Sequence, residues 1–143
     1  MVHIAILKKS WGFREKILIG EKTIESRWYK QQRQPWNCIV AGETVYFKNS
    51  GEPVSLSARV SRVLQFDNLT PKKIKNILKK YGTSIGISKQ NFLKFADGAK
   101  DKKYCILLFL KNPKPAIPFS VNKTGFGLMT AWITANNINK LKR

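Results

Sequence analysis

The hydrophobic pattern changes period several times along the chain, and each change marks an element. Over residues 54–61 it alternates strictly, with Val54, Leu56, Ala58 and Val60 on one side and Ser55, Ser57, Arg59 and Ser61 on the other. That period predicts a strand with one buried face. The phase then slips, because Val63, Leu64 and Phe66 no longer follow it, and a slip inside a long strand predicts a bulge of the kind that bends a barrel. Thr70-Pro71 signals a helix start, threonine as cap and proline in the first turn. Ile74, Ile77, Leu78 and Tyr81 then recur at i, i+3, i+4 and i+7, with Gly82 as the expected end. Residues 104–110 are almost continuously apolar and read as a central strand covered on both faces.

The remaining segments have weaker signals. Residues 4–7 read as a buried strand, followed by a helix capped by Ser10, with Phe13 and Ile17 one turn apart and Gly20 at its end. A strand is expected over 23–29, a polar loop over 31–35, a strand over 44–48 and a turn over 49–53. A second helical stretch over 88–96 would bury Phe92 and Phe95, and Pro113, Pro115 and Pro118 predict a stiff link outside regular helix. Residues 119–134 read as strand, glycine turn and strand, and a short basic helix or tail closes the chain over 137–143. With no repeat and no linker, the reading is one domain over residues 1–143, a β-barrel with inserted helices.

Composition narrows the partner. A 43% hydrophobic and 11% aromatic chain of 143 residues can bury a core. Lys and Arg number 27 against 8 Asp and Glu, a net charge of +19. Such a surplus makes a positive surface potential, whose commonest partner is a phosphate backbone, ahead of a membrane surface. Cys38 and Cys105 are too few for a disulfide framework, and no Cys or His stands at metal-ligand spacing around them or around His3. The expectation is reduced, buried thiols, no metal and no cofactor. The apolar start is too short for a signal or membrane segment, so a cytoplasmic monomer is expected.

Residues 20–27, Gly-Glu-Lys-Thr-Ile-Glu-Ser-Arg, carry the sharpest chemistry. Pleating points Thr23, Glu25 and Arg27 one way and Ile24, Ser26 and Trp28 the other. Burial of Ile24 and Trp28 would aim Glu25 and Arg27 at solvent or a cleft, with Lys22 at its rim, an arrangement suited to a polar, anionic ligand such as a nucleotide. The spacing G-x-K-x-x-E-x-R, filled by Gly20, Lys22, Glu25 and Arg27, resembles the signature of the activating signal cointegrator homology (ASCH) domain, a branch of the PUA-like β-barrels. Residues 5–11 resemble that family's first strand and helix entry, and 45–51 its next long strand and turn. Gly125-Phe126-Gly127 and Ala131-Trp132 resemble its closing segment.

The resemblance implies an α+β fold, a PUA-like mixed β-barrel with inserted and flanking helices, and a nucleic-acid or nucleotide-related role. In such a barrel Lys8, Lys9 and Lys48 would flank the same cleft. Glu25 would orient Lys22 and Arg27 so that both cations face the ligand. Asn49 and Ser50 lie in a turn whose free N–H groups suit phosphate or sugar, and Lys123 would add one more cation. Trp11 and Trp36 are the candidates for base stacking, whereas Trp28 is expected in the core.

Three function classes remain open, with the nucleic-acid binder first and RNA ahead of DNA. The second is an enzyme, in which Lys22 and Glu25 would be the catalytic pair. One ASCH-like branch hydrolyses the acetyl amide of acetylcytidine with a lysine, a threonine and a glutamate, and ribonuclease activity has also been attributed to ASCH-like proteins. The threonine of that amidohydrolase falls three residues after its lysine, where this chain has Glu25, and no Ser-His-Asp or Cys-His set is available. The third class is an adaptor that binds an acidic protein.

Overall fold

Two long antiparallel strands, β4 (Val54–Phe66) and β5 (Tyr104–Phe119), form the spine of the computed structural model, which describes residues 1–127 and 129–143. The other strands are β1 (Val2–Leu7), β2 (Ile24–Tyr29), β3 (Thr44–Asn49) and β6 (Trp132–Ala135). They extend one mixed sheet in the order β2-β5-β4-β3-β1-β6, in which only β1 and β3 run parallel. The sheet curls into a half-barrel flanked by helices, the α+β architecture expected from the sequence. Its curvature is traceable to β4, whose pairing with β5 shifts register between Val54 and Leu56, Ser57 and Arg59, and Val60 and Arg62. The last shift coincides with the slip in the hydrophobic alternation.

The apolar run at the start of β5 is buried on both faces as expected. Ile106 and Leu108 join the barrel interior with Phe47, Leu56 and Ile17. Cys105 and Leu107 face α2 (Pro71–Ile85) and α3 (Phe92–Gly98), against Ile74, Leu78 and Ile85. The prolines lie in the second half of β5 and not in a separate link. That half pairs with β4 alone, so it is a sheet edge, where missing N–H groups are tolerated.

The helices depart from expectation at their ends. Thr70 caps α2 by accepting a hydrogen bond from the Lys73 N–H at 3.2 Å. The helix runs on past Gly82 to Gly86, whose φ of 101° makes it the left-handed cap. Gly82 is an interior position because the Phe92 ring packs on its bare Cα; a Cβ there would stand 2.6 Å from the ring. Ser10 caps no helix: a 3-10 turn over Lys9–Trp11 ends at Gly12, and α1 is only Phe13–Leu18. The stretch over 88–96 divides into a 3-10 turn, Lys89–Asn91, and α3. Among the described residues no helix is long and apolar enough to cross a membrane.

Candidate functional site

The charged motif lies inside the wall of the half-barrel. Lys22 is 1% exposed and Glu25 2%. The Lys22 ammonium donates to the Ile24 carbonyl at 2.7 Å, the Ile85 carbonyl at 2.5 Å and Glu25 Oε1 at 3.2 Å. It also sits 4.2 Å from the centre of the Phe13 ring. Glu25 is equally committed: Oε1 accepts from the Ser26 N–H at 3.0 Å and Oε2 from Arg27 Nη2 at 3.2 Å. Arg27 then reaches across the barrel opening, donating to the Ala131 carbonyl at 3.1 Å and the Ile6 carbonyl at 3.3 Å. Its guanidinium lies 5.2 Å from the Trp132 ring.

Protonation states follow from these contacts. Burial pulls the Lys22 pKa below its ordinary value, opposed by the Glu25 carboxylate. Three acceptors converge on Nζ, and only the ammonium has three hydrogens to offer them, so the charged form fills the site at neutral pH. Burial alone would raise the Glu25 pKa, but Lys22 and Arg27 outweigh it and hold the carboxyl below its ordinary value. The expectation that Lys22 stands at a rim and faces a ligand is therefore corrected. Its amine is sealed behind the wall, where it ties β2 to the C-terminal end of α2.

Beside this brace the barrel wall is open. The edge of β2 and the end of β1 do not pair, and the gap between them widens into a cleft of about 680 Å³. Trp11, Phe13, Trp28 and Phe95 supply aromatic walls; Lys8, Lys16, Arg27, Lys94 and Lys102 supply cations. Among the described residues Glu25 is the only carboxylate in the lining. Trp11 is 53% exposed, with the Lys8 ammonium 5.7 Å from its ring centre. Trp28 packs edge-on against Phe95 at 5.4 Å, so the residue expected in the core forms one wall instead.

Of the residues singled out from sequence, Lys8, Trp11, Glu25 and Arg27 come together here. The others lie off the lining. Lys9 is ion-paired to Glu52 at 2.8 Å, and Asn49 donates to the same carboxylate at 3.0 Å. The Ser50 N–H is not free, since it donates to the Leu7 carbonyl at 2.8 Å. Lys48 is buried, and burial, followed by the charge of Lys123, lowers its pKa. Trp36 packs edge-on against Tyr104 at 5.0 Å, away from the cleft. Sequence reasoning missed Phe13, Lys16, Lys94, Phe95 and Lys102. The one available signal was Gly86, the left-handed turn that sends the chain from α2 back along the cleft. Among the described residues no cluster of His, Cys, Asp and Glu could hold a metal ion.

No protein-family model matches the chain, and no curated protein matches its sequence. Solved structures do match its fold. The ASCH protein from Zymomonas mobilis superposes with a TM-score of 0.68 at 16% identity, covering 97% of this chain and 90% of that one. The hypothetical protein PH0355 gives a TM-score of 0.53 at 17% identity over 81% of this chain and all of that one (100%). The N-terminal domain of Staphylothermus marinus McrB gives 0.50 at 14% identity, over 83% of this chain and 76% of that one. The fold is thus that of the ASCH and PUA-like domains, as the G-x-K-x-x-E-x-R spacing led us to expect.

Proposed function

We propose that this protein binds nucleic acid, RNA in preference to DNA, through the cleft beside β2. The observation that carries the reading is the combination of four aromatic walls with five cations around one opening, on a chain of net charge +19. Aromatic faces stack bases irrespective of sequence, each stack contributing about 1–3 kcal/mol, while cations at the rim neutralise phosphates. The cleft has the volume of a single small-ligand site, so one base or chain end enters and the backbone stays at the rim. The locked Lys22 ammonium favours a binder over an amidohydrolase, because an amine that gives all three hydrogens to protein acceptors has no lone pair for attack.

Fluorescence anisotropy with a short single-stranded RNA tests the reading. The four lining lysines, Lys8, Lys16, Lys94 and Lys102, at about 0.7 counterions each for a single strand, give an expected log–log salt slope near −2.8, because Arg27 is held by Glu25 and by the Ile6 and Ala131 carbonyls. Trp11→Ala should weaken binding by roughly 5- to 150-fold through the lost stack. Lys94→Glu with Lys102→Glu should weaken it more than reversal of Lys72, Lys73 and Lys79 on the outward face of α2. No binding at low salt, or full affinity in Trp11→Ala, would overturn the proposal.

A further inference from the structure

We infer that the open edge of β2 inside the cleft, through the backbone C=O of Ser26 and N–H of Trp28, reads the hydrogen-bonding edge of an unpaired nucleobase. The inference rests on the nucleic-acid reading above and assigns the element that would select a base over a bare phosphate chain.

The phase of β2 fixes which backbone groups face the cleft. Among the described residues its only partner strand is β5. Leu110 N–H donates to the Thr23 carbonyl at 2.9 Å, in line with the register that sets Glu25 opposite Leu108 and Arg27 opposite Ile106. In an antiparallel ladder the hydrogen-bonded residues recur every second position. Residues 23, 25, 27 and 29 therefore turn their N–H and C=O groups toward β5, and 24, 26 and 28 turn theirs away. Two groups on that open side are taken internally, the Ile24 carbonyl by the Lys22 ammonium and the Ser26 N–H by Glu25. The Ser26 carbonyl and the Trp28 N–H and carbonyl have no partner among the described residues.

The strand across the gap cannot serve them. The Ile6 N–H donates to Ala131, and the Ile6 carbonyl accepts from Arg27. Unpaired backbone groups in a half-buried strand are costly, and sheet edges in folded proteins are ordinarily covered. This edge lies instead between flat aromatic walls. An acceptor at Ser26 and a donor at Trp28 match a ligand that presents a donor beside an acceptor in one plane. Nucleobases do so through an amino N–H beside a ring nitrogen, or an imino N–H beside a carbonyl. Base pairing would occupy that edge, so the ligand is a single-stranded or splayed-out base. The Trp28 indole donates to Ser26 Oγ at 2.9 Å, which holds its ring in place beside the reading groups.

The test removes the donor without touching the ring. Tryptophan at 28 is replaced by its α-hydroxy acid analogue, so that the N–H becomes an ester oxygen; the β2–β5 register is kept, with the Arg27 carbonyl that faces β5 now a weaker, ester acceptor. Binding is measured to short oligouridylate and to the same oligomer of N3-methyluridine. The parent should bind the methylated oligomer about tenfold more weakly, and the ester variant should lose about tenfold on oligouridylate and more again on methylation, because the Ser26 carbonyl still accepts from N3–H. Equal binding of the two oligomers by the parent overturns the inference even if the ester variant does not fold. So does an ester variant with full affinity for oligouridylate. An extended peptide that displaces RNA in the parent but not in the ester variant assigns the edge to strand addition and likewise overturns it. The nucleic-acid reading itself fails differently, by the parent binding no RNA at all.

Discussion

Glu25→Gln should cost this protein about 3–5 kcal/mol, and most of that cost should vanish when Lys22 is already methionine. In the parent, Glu25 is the anion between two cations whose side chains are 0% and 12% exposed. Glutamine keeps the shape but leaves the ammonium and guanidinium facing each other without compensation. Breaking a buried pair from one side typically costs about 3–5 kcal/mol, against a total stability of about 5–15 kcal/mol. For a chain of this length, about 2–4 °C per kcal/mol gives a fall in Tm of roughly 6–20 °C. Lys22→Met has its own cost, because the Ile24 and Ile85 carbonyls lose their donor, at about 1–3 kcal/mol each. Glu25 then keeps only Arg27 and the Ser26 N–H, so its conversion to glutamine leaves one partly solvated charge instead of two. The coupling energy should be about 2 kcal/mol or more. Glu25 also shapes the acid limb: its folded pKa is depressed, so its contribution is complete above the ordinary carboxyl value of 4.5 and is lost as pH falls through the folded value. Urea unfolding followed by tryptophan fluorescence, run as a double-mutant cycle, reads both quantities. A loss below about 1 kcal/mol in Glu25→Gln, or strict additivity of the two substitutions, would refute a buried, charged cluster.

Two further outcomes follow from the packing. His3 is buried; its Nδ1 meets the Trp132 indole N–H at 3.2 Å and the Thr134 hydroxyl at 3.0 Å, while Nε2 meets Glu43 at 3.1 Å. Burial lowers its pKa from 6.5, against the opposing pull of Glu43, so the unfolded chain takes up a proton first. Stability should fall as pH drops from 6.5 toward the folded value and then level off; His3→Gln should flatten that part of a pH series of melting curves, and an unchanged profile would exclude His3 as its source. Gly82→Ala should destabilise by about 1 kcal/mol, because overpacking against Phe92 at about 1–3 kcal/mol exceeds the helix-propensity gain of about 1 kcal/mol. Adding Phe92→Leu should reverse the sign, and a stabilising Gly82→Ala in the parent would show that α3 yields freely.

Elements whose signals are local could be read from the chain. The alternation over 54–60, the slip after Val60, the Thr70-Pro71 start and the apolar run of β5 are all set by neighbours in sequence, and the structure keeps each of them. Gly82 misled because glycine ends helices in isolation, whereas here a ring 10 positions later needs its missing side chain. The prolines misled because a strand with one free edge accepts them. Neither fact has a local signature.

The motif shows the same limit in a more consequential form. A strand with charge on alternate positions identifies its polar face, and Glu25 and Arg27 do share one. Whether that face meets water depends on what closes over it, and the acceptor that completes Lys22 comes from Ile85, 63 residues away. Once that contact is in place, the three charges act as a brace. Arg27 spans the gap by donating to carbonyls of Ile6 and Ala131 where a barrel would otherwise continue its backbone ladder. A side chain that bridges the gap at one point, with Lys22 and Glu25 taking the Ile24 carbonyl and the Ser26 N–H, leaves the far end of the β2 edge unpaired among the described residues, and that end is the floor on which the cleft is built. In the proposed binder the motif would therefore act chiefly by shaping the opening. Its loss should change stability first and affinity as a consequence, the reverse of the order expected for residues that hold the ligand themselves.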